Sequence, residues 1–110
     1  MDKHESGFIS QQSAELIPKE GLSEDMIELY QQLAPEYLQE LKSAQSNSDI
    51  KAIKFQAHKL NSVMGIMGFE PISSLLKQIC GCEDDPVITR PLVDEVNELT
   101  QTSLASLSAK

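Results

Sequence analysis

The chain has 110 residues, with 9 Lys or Arg against 17 Asp or Glu and a net charge of −8. That length is expected to make one domain with a single modest core, too small for a separate catalytic lobe around a substrate cleft. The acidic balance argues against nucleic-acid phosphate and anionic membrane surfaces as partners, since both call for a basic face.

Residues 1–7 are polar and read as a tail or the remnant of a linker, and residues 8–110 read as one helical bundle. Residues 1–10 lack the apolar core of a secretion signal. No stretch approaches the roughly eighteen apolar residues that span a bilayer, so a cytoplasmic chain is expected. Ser10 can cap a short helix through residue 16, which Pro18 ends. Ser23 is a second cap, with Glu24 and Asp25 in the first turn where the helix dipole favours acids. The helix it opens is expected to turn Met26, Tyr30, Leu33, Tyr37, Leu41 and Ala44 inward. Pro35 should kink that helix or split it into two abutting ones.

Residues 47–49 are turn-like and cap the next helix. Its apolar positions Ile50, Ile53, Ala57, Leu60, Met64 and Met67 recur at steps of three and four, and Gly68 suits the left-handed residue that closes it. Pro71 fits the first turn of a short helix holding Ile72, Leu75, Leu76 and Ile79, with Gly81 at its end. An acidic loop follows, and Pro91 sets the start of the last helix. That helix carries Leu92, Val96, Leu99, either Ser103 or Leu104, and Leu107. Four helical segments with brief connections predict an all-α fold, an up-down four-helix bundle with a short extra N-terminal helix. Cys80 and Cys82 are too close for an easy bridge and read as reduced thiols, and no metal set is expected from them with His4 or His58.

His58 departs from the pattern of its helix. At about 100° per residue it lies roughly 130° from the centre of the apolar stripe, among Lys51, Lys54, Asn61, Ser62 and Gly65. With Ser62 one turn on and Gly65 two turns on, nothing bulky is expected to cover it from the C-terminal side. A solvated imidazole is a competent nucleophile near neutral pH, because the neutral ring keeps a free nitrogen lone pair. Phe55 and Ile66 lie roughly 60° to 80° further round the wheel and can form an apolar rim for a partner helix.

The stretch Ala57-His58-Lys59-Leu60-Asn61-Ser62, with Gly68 ten residues after the histidine and Ile72, Leu75, Leu76 and Ile79 following, resembles the phosphoacceptor segment of histidine-containing phosphotransfer (HPt) domains. The resemblance implies a four-helix bundle with the acceptor histidine on an outer face. It implies that His58 accepts a phosphoryl group from a receiver-domain aspartate and passes it to another receiver. No cofactor is expected on this chain, and Mg²⁺ is expected on the receiver. No kinase activity of its own is expected, and no Gly-rich phosphate loop occurs in the chain. The partner implied is the receiver of a hybrid kinase or response regulator, with the chain a monomer or a piece of a sensor kinase. Asn61 stands where the family usually has a Lys that offsets phosphoryl charge, and Cys80 where many members have Gln or Glu. Lys54 is the nearest substitute cation, with Gly65 and Ser62 supporting and Phe55, Ile66 and Lys59 as docking residues.

Two other readings remain open at this level. One is a helical module that binds receivers without transferring phosphate, suggested by Asn61 and Cys80. The other is a hydrolase or metal-dependent enzyme using His58, weakened by the lack of a convergent second group, since Asp49 and Glu70 are more than two turns away along the helix or beyond its end.

Overall fold

In the computed structural model, Leu16 and residues 18–108 are described, and all regular structure among them is helical. Four helices follow one another: α1 (Glu24–Ser46), α2 (Ile50–Met67), α3 (Glu70–Gly81) and α4 (Pro86–Ser108). Each packs on its neighbours in the chain, and α1 closes the ring on α4. This is the expected up-down four-helix bundle. The expected short helix over residues 10–16 lies outside the described residues, apart from buried Leu16. None of the described helices is long and apolar enough to cross a membrane.

Local chemistry starts and stops these helices. Ser23 Oγ accepts the Met26 N–H at the start of α1, and Asp49 Oδ1 accepts the Ala52 N–H at the start of α2. Each satisfies a donor that the first turn would otherwise leave open. Gly68 closes α2 at φ 77°, its N–H bonded to the Met64 carbonyl. Pro71 sits in the first turn of α3, where its missing N–H costs nothing.

Prolines bear on two of the boundaries. Of the two outcomes expected at Pro35, the split does not occur: α1 runs as one helix of 23 residues with the proline on its exposed side. Packing along the buried side outweighs the one backbone bond lost. The last helix begins at Pro86, not at Pro91. Asp85 caps it, with Oδ1 accepting the Val87 N–H and its carbonyl accepting from Ile88 and Thr89. Pro91 is therefore internal, and the bond it forfeits is the one to the carbonyl of Val87, a residue that is 76% exposed.

The core phase of two helices also differs. In α1 the buried set is Tyr30, Ala34, Leu38, Leu41, Ala44 and Gln45. Met26 is exposed, while Leu33 and Tyr37 are only half-buried, at the seam between α1 and α2. In α4 the buried positions are Thr89, Val93, Val96, Thr100 and Ser103, whereas Leu92, Leu99, Leu104 and Leu107 pack at its flanks. In α2, Val63 is buried and Ile50 only half-buried.

Polar groups explain why α4 turns that face inward. Tyr30 Oη and Ser103 Oγ are 2.6 Å apart, and Ser103 Oγ donates to the Thr100 carbonyl at 2.7 Å. Ser103 has one hydroxyl proton, so Tyr30 is the donor between them. The Tyr30 ring meets Phe69 edge-on at 5.5 Å, which joins α1, the α2–α3 junction and α4. At the other end, Gln45 Nε2 donates to the Pro86 carbonyl and its Oε1 accepts from Thr89, tying the end of α1 to the start of α4.

Burial raises the Tyr30 phenol to about 12. In the unfolded chain Tyr titrates near 10, so this contribution to stability is complete below pH 10 and is lost as pH rises toward 12. A loss of about 2–3 kcal/mol across that range is expected from a shift of this size. Denaturant titrations of the wild type and Tyr30→Phe should diverge in slope above pH 10, and parallel slopes would count against it.

The face around His58

His58 is exposed on α2, as its place on the wheel predicts. The opposite side of the helix explains this: Ile53, Ala57, Leu60, Val63, Met64 and Met67 are all buried. In a helix the Cα–Cβ bonds tilt toward the N-terminus, which at position 58 is the side of the turn carrying Lys54 and Phe55.

On the side toward α1, an open groove of about 280 Å³ lies against the histidine, lined by Leu33, Tyr37, His58, Lys59, Ser62, Val63 and Ile66. Ile66 and Lys59, two of the expected docking residues, both line this groove. Phe55 is 59% exposed and its ring lies 5.5 Å from the Lys59 ammonium. The same ammonium sits 4.5 Å over the Tyr37 ring and 3.6 Å from Glu40. Lys59 is thereby held at the α1–α2 seam, an apolar stem with a charged tip between two rings.

The polar groups one turn after His58 have partners. Asn61 is half-buried, and its Oδ1 accepts from Ser73 Oγ at 2.6 Å. The amide carbonyl is committed to α3, which leaves the NH₂ as what Asn61 can offer to a neighbour. Ser62 Oγ donates to the His58 main-chain carbonyl, the usual bond of a serine four residues on in a helix. Gly65 is exposed, and a Cβ built there would meet nothing within 4 Å. Beside the Cβ position of Gly65 the C-terminal side of His58 is open, and the nearest charge there is the Lys19 ammonium, 3.4 Å from the Gly65 carbonyl.

Lys54 is arranged in a way the sequence did not foretell. Its ammonium donates to the Cys82 carbonyl at 2.7 Å and to Asp84 Oδ1 at 2.6 Å, in the turn between α3 and α4. The hydrogen bond to Asp84 raises its pKa, so it is a fixed cation. In this structure it serves the turn, not the imidazole. The Cys80 thiol donates to the Lys54 carbonyl at 3.7 Å, and desolvation pushes its pKa up. Cys80 thus lies against the backbone one turn before His58. Both cysteines are free thiols. Among the described residues no cluster of three or more His, Cys, Asp or Glu converges as a metal set.

Sequence reasoning missed Leu33 and Tyr37 at this face, having turned them inward, and missed Asp84 and Glu40 as partners of the two lysines. Opposite charge was the only available signal for the two acids. It does not single them out among 17 carboxylates.

Among the described residues, His58 is an exposed histidine beside an apolar groove on the outer face of a four-helix bundle. The family model described as Hpt domain matches residues 25–108, and the chain belongs to that family. Comparison with curated proteins and with solved structures gave no match. Hpt domains carry out histidine phosphotransfer in phosphorelays with receiver domains, and have no kinase activity of their own.

Proposed function

We propose that His58 is the phosphoacceptor, that it takes a phosphoryl group from the aspartyl phosphate of one receiver domain, and that it yields the group to a second. The observation that carries this reading is the exposed imidazole on the outer face of α2, beside the groove formed with Leu33, Tyr37 and Ile66. A lone pair on one ring nitrogen attacks phosphorus as the acyl P–O bond breaks, and the receiver's carboxylate leaves with that electron pair. The second ring nitrogen keeps its hydrogen, so positive charge on the ring offsets part of the phosphoryl charge. Proximity in the docked pair supplies much of the rate, and the receiver brings Mg²⁺ and the carboxylates that hold it. The chain itself needs no cofactor for this role. It works as a monomer in the cytoplasm, alone or as part of a sensor kinase.

Phe55, Lys59, Ile66 and the groove form the docking surface for the receiver, and Ser62 and Gly65 keep the approach clear. The direct test is incubation with a phosphorylated receiver. The expected product is an acid-labile, base-stable phosphate that maps to His58. An acid-stable phosphate, or one on another residue, would overturn the reading. A second reading, a module that binds receivers without accepting phosphate, draws on one observation: Asn61 brings no cation and is tied to Ser73. It requires receiver binding with no label at all.

Gly65→Ala separates docking from chemistry. A mid-helix glycine with free space around it costs about 0.5–1 kcal/mol relative to alanine, so the variant should be more stable by that amount. Transfer from a receiver should slow severalfold, because the methyl group stands in the open lane on the histidine face. Labelling by phosphoramidate, a small donor, should be unaffected. Equal slowing with both donors would show that the lane is not a docking feature.

A further inference from the structure

Asp84 bonds to Lys54, a cation one helical turn before the proposed phosphoacceptor. Lys54 and His58 are at a spacing that brings two Cβ atoms to about 6 Å on the same face. Side chains of an α-helix lean toward its N-terminus, which for position 58 is the turn of Lys54. The other cations nearby are placed differently: Lys59 lies over Tyr37 beside Glu40, Lys51 is a further turn away, and the Lys19 ammonium reaches the Gly65 carbonyl on the C-terminal side of His58, while Asn61 is neutral and bonded to Ser73. A phosphoryl group carries close to two negative charges near neutral pH and has three strong acceptor oxygens. Lys54 meets one carboxylate and one carbonyl at present, and the Asp84 side chain is 75% exposed, so water can replace Lys54 there.

We propose that Asp84 is a positioning residue, which holds the Lys54 ammonium at the Cys82 carbonyl while His58 is unmodified and releases it to the phosphoryl oxygens once His58 is loaded. The inference rests on the role proposed for His58. Release removes the tie between α2 and the 82–85 turn. Asp85 in that turn bonds to Glu83 and caps α4 through Val87 and Ile88, so loading of the histidine is felt at the start of α4. Phosphorylation is thereby converted into a change at a second place on the surface.

The experiment compares wild type, Asp84→Asn, Lys54→Gln, the double variant and Lys54→Arg, each phosphorylated with phosphoramidate at a fixed ratio to ammonium. In this reaction the donor's P–N bond breaks, ammonia leaves, and a P–N bond to the ring forms. Asp84→Asn should raise the loaded fraction and Lys54→Gln should lower it, with equilibrium shifts of roughly two- to fivefold, the range for a partly exposed charge pair. In the double variant Asp84→Asn should have no further effect, and Lys54→Arg should behave like wild type. Backbone amide resonances of Glu83, Asp84, Asp85, Val87 and Ile88 should shift on loading in the wild type and not in Lys54→Gln. A merely structural Asp84 would not give effects of opposite sign that vanish without the lysine. If the wild type loads at His58 but the variants match it and the turn resonances stay fixed, the latch is overturned alone. If the wild type does not load at His58, the reading of the site falls and the latch with it.

Discussion

Glutamine in place of His58 should abolish phosphoryl acceptance from any receiver while leaving the fold as stable as the wild type. Glutamine keeps a similar length and polarity on the exposed face. Its amide nitrogen has no free lone pair, so the P–N bond cannot form. The bond from Ser62 goes to the main-chain carbonyl at position 58 and survives the substitution. The side chain is exposed and lies outside the core. A surface change of this kind stays within about 0.5 kcal/mol, or a few degrees in Tm for a domain of this size. Loss of label by radiolabelled transfer, with an unchanged melt, is the expected pair of results. Undiminished labelling of the variant would place the acceptor elsewhere, and loss of label with a collapsed melt would make His58 a structural residue.

How far the fold could be read ahead of the coordinates follows the range of the interactions that decide each feature. Ser23, Asp49, Gly68 and Pro71 act within three or four residues of themselves, and each does what its local chemistry predicts. The exposed place of His58 also follows from the wheel of its own helix, because the α2 stripe has a single phase. Helix α1 carries two overlapping stripes, one through Leu33 and Tyr37 and one a residue later through Ala34 and Leu38. Packing against α4 decides between them: Tyr30 reaches Ser103, 73 positions away, and the second stripe turns inward. Leu33 and Tyr37 are left at the seam, where they become part of the groove.

The same distinction holds within the site. Ser62 and Gly65 share a helix with His58, so their places beside it are legible from spacing. Lys54 is equally close along the helix, yet its ammonium is directed by Asp84 and Cys82, 30 and 28 positions away and brought near only by bundle closure. Pro91 misled because it is a good first-turn residue, as is Pro86; the capping carboxylate of Asp85 selects the earlier one. Helical phase thus gives the face on which a side chain lies, and tertiary closure gives its partner.

Gly68→Val should be strongly damaging at the C-terminal end of α2, lowering stability by about 3–6 kcal/mol. A β-branched residue held at φ 77° meets its own backbone, at about 1–3 kcal/mol for a left-handed non-glycine residue. Space is lacking as well. A Cβ at position 68 would lie 3.1 Å from Lys19 Cβ and 3.3 Å from its Cγ and Cδ. Lys19 cannot simply swing aside, because its N–H donates to the Met67 carbonyl at 2.9 Å and its ammonium reaches the Gly65 carbonyl at 3.4 Å. Pushing that segment away gives up a backbone hydrogen bond at an open helix end, about 1 kcal/mol, and loosens the burial of Leu16, another 1–2 kcal/mol. Gly68→Ala should lose less, since alanine is not branched, though it too must shift Lys19. Denaturant midpoints should therefore fall in the order wild type, Ala, Val. His58 is ten residues upstream, so phosphoryl acceptance by the fraction that remains folded should be close to normal. A valine variant as stable as the wild type would mean that the segment at Lys19 does not hold the end of α2.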